Sequence, residues 1–135
     1  MRIAIDMQGV QCTSRFRGIG RYSLSLTKAI ARNRKSHEII LVLNGLFPDS
    51  VEPIRAEFND LIPQENICVW YSVGPVHSHD PSNKTRRNLS ERLREAFIED
   101  LTPDILLNTS IIEGFGDNAV SSVRTIDTSY IVSSI

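Results

Sequence analysis

Gly18 and Gly20, set between Arg15, Arg17 and Arg21, stand where a polar loop meets the start of a helix in the run Arg17-Gly18-Ile19-Gly20-Arg21-Tyr22. Glycines at that spacing let a backbone approach a ligand closely. The first N–H groups of a helix are unpaired and carry its positive dipole end, and guanidinium groups add charge-assisted hydrogen bonds. The chemistry such a combination suits is anion binding, of a phosphate above all. The motif falls short of a dinucleotide fingerprint, because Ser23 stands where a third glycine belongs and the preceding loop is about a dozen residues long. A Walker lysine is also missing. A turn that merely shapes the entry to an ordinary helix would use the same two glycines, so both readings stay open on the motif alone.

A second constellation is His77-Ser78-His79-Asp80, two imidazoles and a carboxylate within four residues. Alternating ligands of this kind can bind a transition metal, but no further cluster with ligand spacing accompanies them, and Asp80-Pro81 is a helix-start signal, so a structural loop is the preferred reading. Cys12 and Cys68 are too few and too far apart for a disulfide framework and read as reduced thiols. The Asn-x-Ser/Thr sequons at Asn83, Asn88 and Asn108 fall in a helical stretch or at the end of a buried strand and read as chance matches.

The elements that must position these groups alternate between strand and helix, the pattern of a parallel sheet with helices on its faces. Arg2-Ile3-Ala4-Ile5-Asp6 predicts a first strand, and a helix follows to about Asn33 with Ile19, Tyr22, Leu26, Ala29 and Ile30 on its apolar face. Glu38 to Leu43 predicts a second strand, near-continuously apolar as a strand covered on both faces should be. Asp49 or Ser50 can cap a short helix with Pro53 in its first turn and Pro63 closing it. Ile67 to Val73 predicts a third strand, and residues 76–83 a loop. Asn88 to Leu101 predicts a helix whose stripe is Leu89, Leu93, Ala96, Phe97 and Leu101, with Arg92, Arg94, Glu95 and Glu99 as a solvated face. Asp104 to Asn108 and Tyr130 to Val132 complete five strands. Ligands of such sheets gather outside the strands' carboxyl ends, where Asp6 and the polar end of the fourth strand should meet.

The 135 residues fit a single domain, and 41% hydrophobic with 23% charged residues are ordinary globular values. A net charge of −1 gives no basis for a nucleic-acid partner. No run of eighteen apolar residues occurs and Met1 leads directly into a strand, so the expected location is the cytoplasm. No closing helix follows the fifth strand, which is the expectation for a piece of a longer chain.

Taken with Pro103-Asp104-Ile105-Leu106 and Glu113-Gly114-Phe115-Gly116-Asp117, the strand Met1 to Asp6 and the run Arg17 to Tyr22 resemble the start of a family 4 (group 1) glycosyltransferase. The resemblance covers nearly the whole chain. It implies a Rossmann-like three-layer α/β domain with a mostly parallel sheet of about five strands, spanning residues 1–135 and forming half of a GT-B enzyme. Such a half is the acceptor-side domain, and the C-terminal domain of the same chain holds the nucleotide-sugar donor. By the same resemblance Gly18, Gly20 and Arg21 would lie against the donor's diphosphate or the transferred sugar. Asp6, Arg17, Tyr22, Glu113, Phe115 and Asp117 would sit at the acceptor side. The implied reaction is retaining transfer to a glycan or lipid-linked acceptor, with no bound metal and no cofactor, and with a peripheral location at the inner face of the membrane compatible with it.

The pattern departs from the family at its end. The family's histidine near the reacting sugar would lie beyond Ile135, and the C-terminal domain with its paired glutamates is missing, so the segment by itself is expected to be inactive. Two rival readings are a stand-alone flavodoxin-like module that binds a phosphorylated small molecule without chemistry, and an interaction domain using an open sheet edge. The module requires a closed pocket over residues 18–22. The transferase half requires an incomplete surface and a cleft with one wall.

Overall fold

A computed structural model describes residues 1–127 and 130–133 of the chain. Five strands form one sheet: β1 (Arg2–Asp6), β2 (Glu38–Asn44), β3 (Ile67–Trp70), β4 (Ile105–Asn108) and β5 (Tyr130–Ser133). The order is β3-β2-β1-β4-β5 and every pairing is parallel. Helix α1 (Gln8–Gln11) and α2 (Gly18–Arg32) follow β1, α3 (Pro48–Glu57) follows β2, and α4 (Lys84–Asp100) follows β3. The architecture is a Rossmann-like three-layer α/β domain.

Alternate side chains of β1 to β4 enter different cores, as a period of two demands. Ile5, Ile39, Leu41, Leu43, Ile67 and Leu107 pack with Ala31 of α2 and with Ile54 and Phe58 on the α3 side. Ala4, Ile40, Val42, Trp70 and Leu106 pack with Ile98 of α4 and with Val120. Both faces are therefore covered, which is why β2 is apolar almost without interruption.

The helices present different faces from those their hydropathy suggests. The buried residues of α2 are Gly20, Ser23, Thr27 and Ala31, while Tyr22 and Ala29 are exposed. Small side chains at this spacing let the helix lie close to the sheet, and the larger Leu24 and Ile30 fill its flanks. In α4 the correction is larger. Arg94 and Glu95 are buried with Ser90 and Ile98, whereas Leu89 and Leu93 are 48% and 40% exposed. This helix also starts earlier than Asn88, because Asp80 caps a 3-10 turn (Pro81–Asn83) that runs straight into it, accepting from Ser82 N at 2.9 Å.

Smaller differences have equally local causes. A helical turn, α1, replaces part of the loop expected after β1. Helix α3 begins at Pro48, so Pro53 lies inside it and Ser50, instead of capping, bonds back to Phe47 O at 2.7 Å. Strand β3 stops at Trp70, whose carbonyl accepts from Gly45 N, and Tyr71 and Val73 turn out to solvent. Residues 109–127 run without helix or strand, and none of the described helices is long and apolar enough to cross a membrane.

Candidate functional site

Strand order reverses at β1, and the switch-point crevice where ligands of such sheets gather lies at the carboxyl ends of β1 and β4. The register places Asp6 opposite Asn108. Asp6 is buried beneath this crevice, and its carboxylate accepts from Arg94 Nη2 at 2.5 Å, from Arg94 Nε at 3.1 Å and from the Gln8 amide N–H at 2.8 Å. Arg94 Nη2 also donates to Asn108 Oδ1 at 2.9 Å, and Nη1 donates to Ser122 O. The buried charge of β1 is thus answered by a cation from the helix on the far face, which relieves a desolvation cost that neither ion could bear alone.

Three side-chain amides extend this floor. Gln8 pairs with the backbone of Val120 in both directions, donating through Nε2 at 2.5 Å and accepting at Oε1 from Val120 N at 2.7 Å. Asn44 Nδ2 donates to Gln8 Oε1 and to Asn118 O, each at 2.9 Å. Gln11 Nε2 donates to Asn44 O at 3.0 Å. The segment after β1 and the end of β2 are thereby tied to the loop after β4, and Thr109 Oγ1, just past β4, closes the set by donating to Asp6 O at 2.7 Å.

Above the floor stand the groups expected to meet ligands. Arg17, Gly18, Arg21 and Tyr22 are exposed at the start of α2. A Cβ added to Gly18 would meet nothing within 4 Å, so a ligand can reach this backbone, whereas a Cβ on Gly20 would lie 2.5 Å from Arg15 Cα. The two glycines therefore do different things: Gly18 leaves open space, and Gly20 lets the loop fold back under the helix. Arg21 turns toward α3, where it lines a cavity of about 310 Å³ with Arg15, Phe16, Leu24 and Pro53.

On the other side of the crevice, Asp117 Oδ2 accepts from Thr13 Oγ1 at 3.2 Å and Oδ1 from Ala119 N at 3.0 Å. Glu113 accepts from Ser110 Oγ at 3.4 Å. Cys12 Sγ and one oxygen each of Glu113 and Asp117 all lie within 4.8 Å of one another. Burial pushes the Cys12 thiol up to about 12, and the charges of Glu113 and Asp117 push the same way, so it stays protonated at neutral pH. A divalent cation held by these three groups would first have to displace that proton. Phe115, between the two acids, is 71% exposed.

The chain is 31% identical over 124 residues to a serotype-specific mannosyltransferase, WbdA, of Escherichia coli, a match that covers 91% of this chain and 15% of that protein. Two further Escherichia coli proteins of the same name are 25% identical over 99 residues and 24% identical over 103 residues. These matches cover 73% and 76% of this chain but 12% and 13% of the relatives. The chain therefore spans only a small part of the length of the curated relatives it matches. No family model matches the chain, and no solved structure matches it.

The structure thus brings Asp6, Glu113 and Asp117 to the loops around one crevice, with Asp6 enclosed in its floor, and sets Gly18 at the open start of α2. Sequence reasoning missed Gln8, Gln11, Asn44, Cys12 and above all Arg94. One signal could have found the last: an aspartate ending an apolar strand that is covered on both faces requires a buried cation. The His77 and His79 rings stack on each other instead of converging on a common point, and they belong to no group of metal-ligand spacing among the described residues.

Proposed function

We propose that this domain is the acceptor-side half of a retaining GT-B glycosyltransferase, which moves a hexose, mannose by analogy with the relatives, from a nucleotide sugar to a glycan or lipid-linked acceptor. The observation that carries this reading is the similarity to a mannosyltransferase over nine-tenths of the chain. The open start of α2 supports the assignment of Gly18 to the donor's diphosphate, with Gly20 shaping the loop beneath it, where N–H groups and a helix dipole would stabilise charge as the leaving group departs. Arg21 would serve the same anion after turning back from the α3 side. Arg17, Tyr22, Glu113, Phe115 and Asp117 would face the acceptor, and Asp6 would act through the floor it anchors. A C-terminal domain of the same chain would supply the opposite wall, and the segment alone would not turn over. The exposure of residues 17, 18, 21 and 22 favours this reading over a closed phosphate-binding module.

The test is sugar transfer by the full-length protein that contains this segment, with nucleotide-activated hexoses as donors and the anomeric configuration of the product read by NMR. Gly18→Val should raise the donor KM tenfold or more, since its side chain would fill the open space. Absence of transfer from every donor, or a donor KM unmoved by Gly18→Val, would refute the reading.

A further inference from the structure

Two loops that leave the sheet from different strands are joined into one shelf beside the crevice. The segment after β3 runs alongside the segment after β4: Ser78 N donates to Gly114 O at 2.9 Å, and His79 N donates to Phe115 O at 3.0 Å. Arg87 of α4 clamps both, donating through Nη1 to Val76 O at 2.8 Å and to Gly114 O at 3.4 Å. Val76 is fully buried, and Gly114 holds a φ of +101°, where a side chain would strike the Ala119 carbonyl. The backbone on both sides of Phe115 is fixed by these contacts.

Three rings form a row on this support, the first two stacked and the third tilted against them. The His77 and His79 centroids are 4.4 Å apart with planes at 18°, and the His79 and Phe115 centroids are 5.8 Å apart at 49°. Phe115 nevertheless remains 71% exposed at the end of the row. A large apolar ring held in water by a fixed backbone is the mark of a contact surface.

We propose that Phe115, backed by His79, forms a stacking shelf for one pyranose ring of an acceptor saccharide, an inference that rests on the transferase reading above. A pyranose has an apolar C–H face and a rim of hydroxyls. The row offers both kinds of surface, the exposed Phe115 ring at one end and polar groups at its His77 end. Asp80, whose carboxyl the Ser82 amide and hydroxyl hold below the usual carboxylate range, lines with Lys84, Asn88 and His77 a cavity of about 290 Å³ at the inner end of the row. A partner that covers both ends of the row has to offer hydrogen bonds as well as an apolar face. A saccharide satisfies both kinds of surface.

The experiment uses the full-length protein, a nucleotide-activated mannose and an α-linked mannobiose carrying a fluorescent aglycone. Phe115→Ala should raise the acceptor KM about tenfold, the range of one lost ring contact, and leave the donor KM unchanged. Phe115→Trp should restore the acceptor KM to within about threefold of the parent, which a structural role for this residue would not do. Saturation-transfer NMR with the same mannobiose reads binding apart from turnover. Binding lost in Phe115→Ala with no transfer even by the parent protein would keep the shelf and sink the transferase reading. Intact transfer with an unmoved acceptor KM would sink the shelf alone. A shift in donor KM with the acceptor KM unmoved would assign Phe115 to a contact with the opposite wall and overturn the proposal.

Discussion

Replacement of Arg94 by methionine removes the guanidinium that pairs with the buried Asp6 carboxylate. Arg94 is fully buried and Asp6 is 2% exposed, so neither ion can turn to water when its partner goes. Breaking a buried pair of this kind costs about 3–5 kcal/mol. Asn108 Oδ1 and Ser122 O lose a donor at the same time, at about 1 kcal/mol each when the geometry cannot relax. Since such losses overlap, the expected destabilisation is about 4 kcal/mol, a large share of the 5–15 kcal/mol typical of a domain. With a urea slope of about 2 kcal/mol/M the unfolding midpoint should fall by about 2 M. Trp70, the single tryptophan and 2% exposed, gives the fluorescence signal. In the Asp6→Asn, Arg94→Met double variant the uncompensated charge is absent, so the two costs should fail to add by about 2 kcal/mol or more. A loss below about 1 kcal/mol for Arg94→Met, or strict additivity, would refute the view that this pair holds the crevice floor.

The two glycines at α2 should separate in stability. Gly20→Val, which drives a side chain into the Arg15 backbone, is expected to cost at least about 1–3 kcal/mol, while Gly18→Ala should change unfolding free energy by less than about 1 kcal/mol, both read by the same urea titration. The thiols should differ as well. Cys12 is buried and pushed up to about 12, so iodoacetamide at pH 8 should modify the half-buried Cys68 first, and peptide mass mapping showing equal rates would contradict the burial of Cys12. Because the native Cys12 value lies above its ordinary value near 9, its neutral form contributes stability that is whole below pH 9 and is lost as pH rises toward 12.

Much of the fold was legible before any coordinates. β1 and β2 follow from unbroken apolar runs, the sheet's parallel character from the alternation with helices, and the helix start at Gly18 from a glycine pair after a polar loop. The faces of the helices were not. In α2 the pattern of Ile19, Tyr22 and Leu26 fits a helical period as well as Gly20, Ser23 and Thr27 does, and only the closeness of the sheet selects the smaller set. In α4 the charges of Arg94 and Glu95 read as solvated because hydropathy cannot report that a carboxylate waits beneath them.

By itself, then, the chain's order of residues determined the element types, their succession and the crevice at the strands' carboxyl ends, since period, turn residues and helix-start signals act over a few neighbours. Tertiary structure alone decided which charges are buried, that Gln8, Asn44 and Asn108 make a floor with Arg94 and Asp6, and that His79 meets Phe115. The deciding partners lie far apart in the chain, Asp6 and Arg94 by 88 residues and His79 and Phe115 by 36, and a pairing that is set by packing across the sheet leaves no local pattern to read.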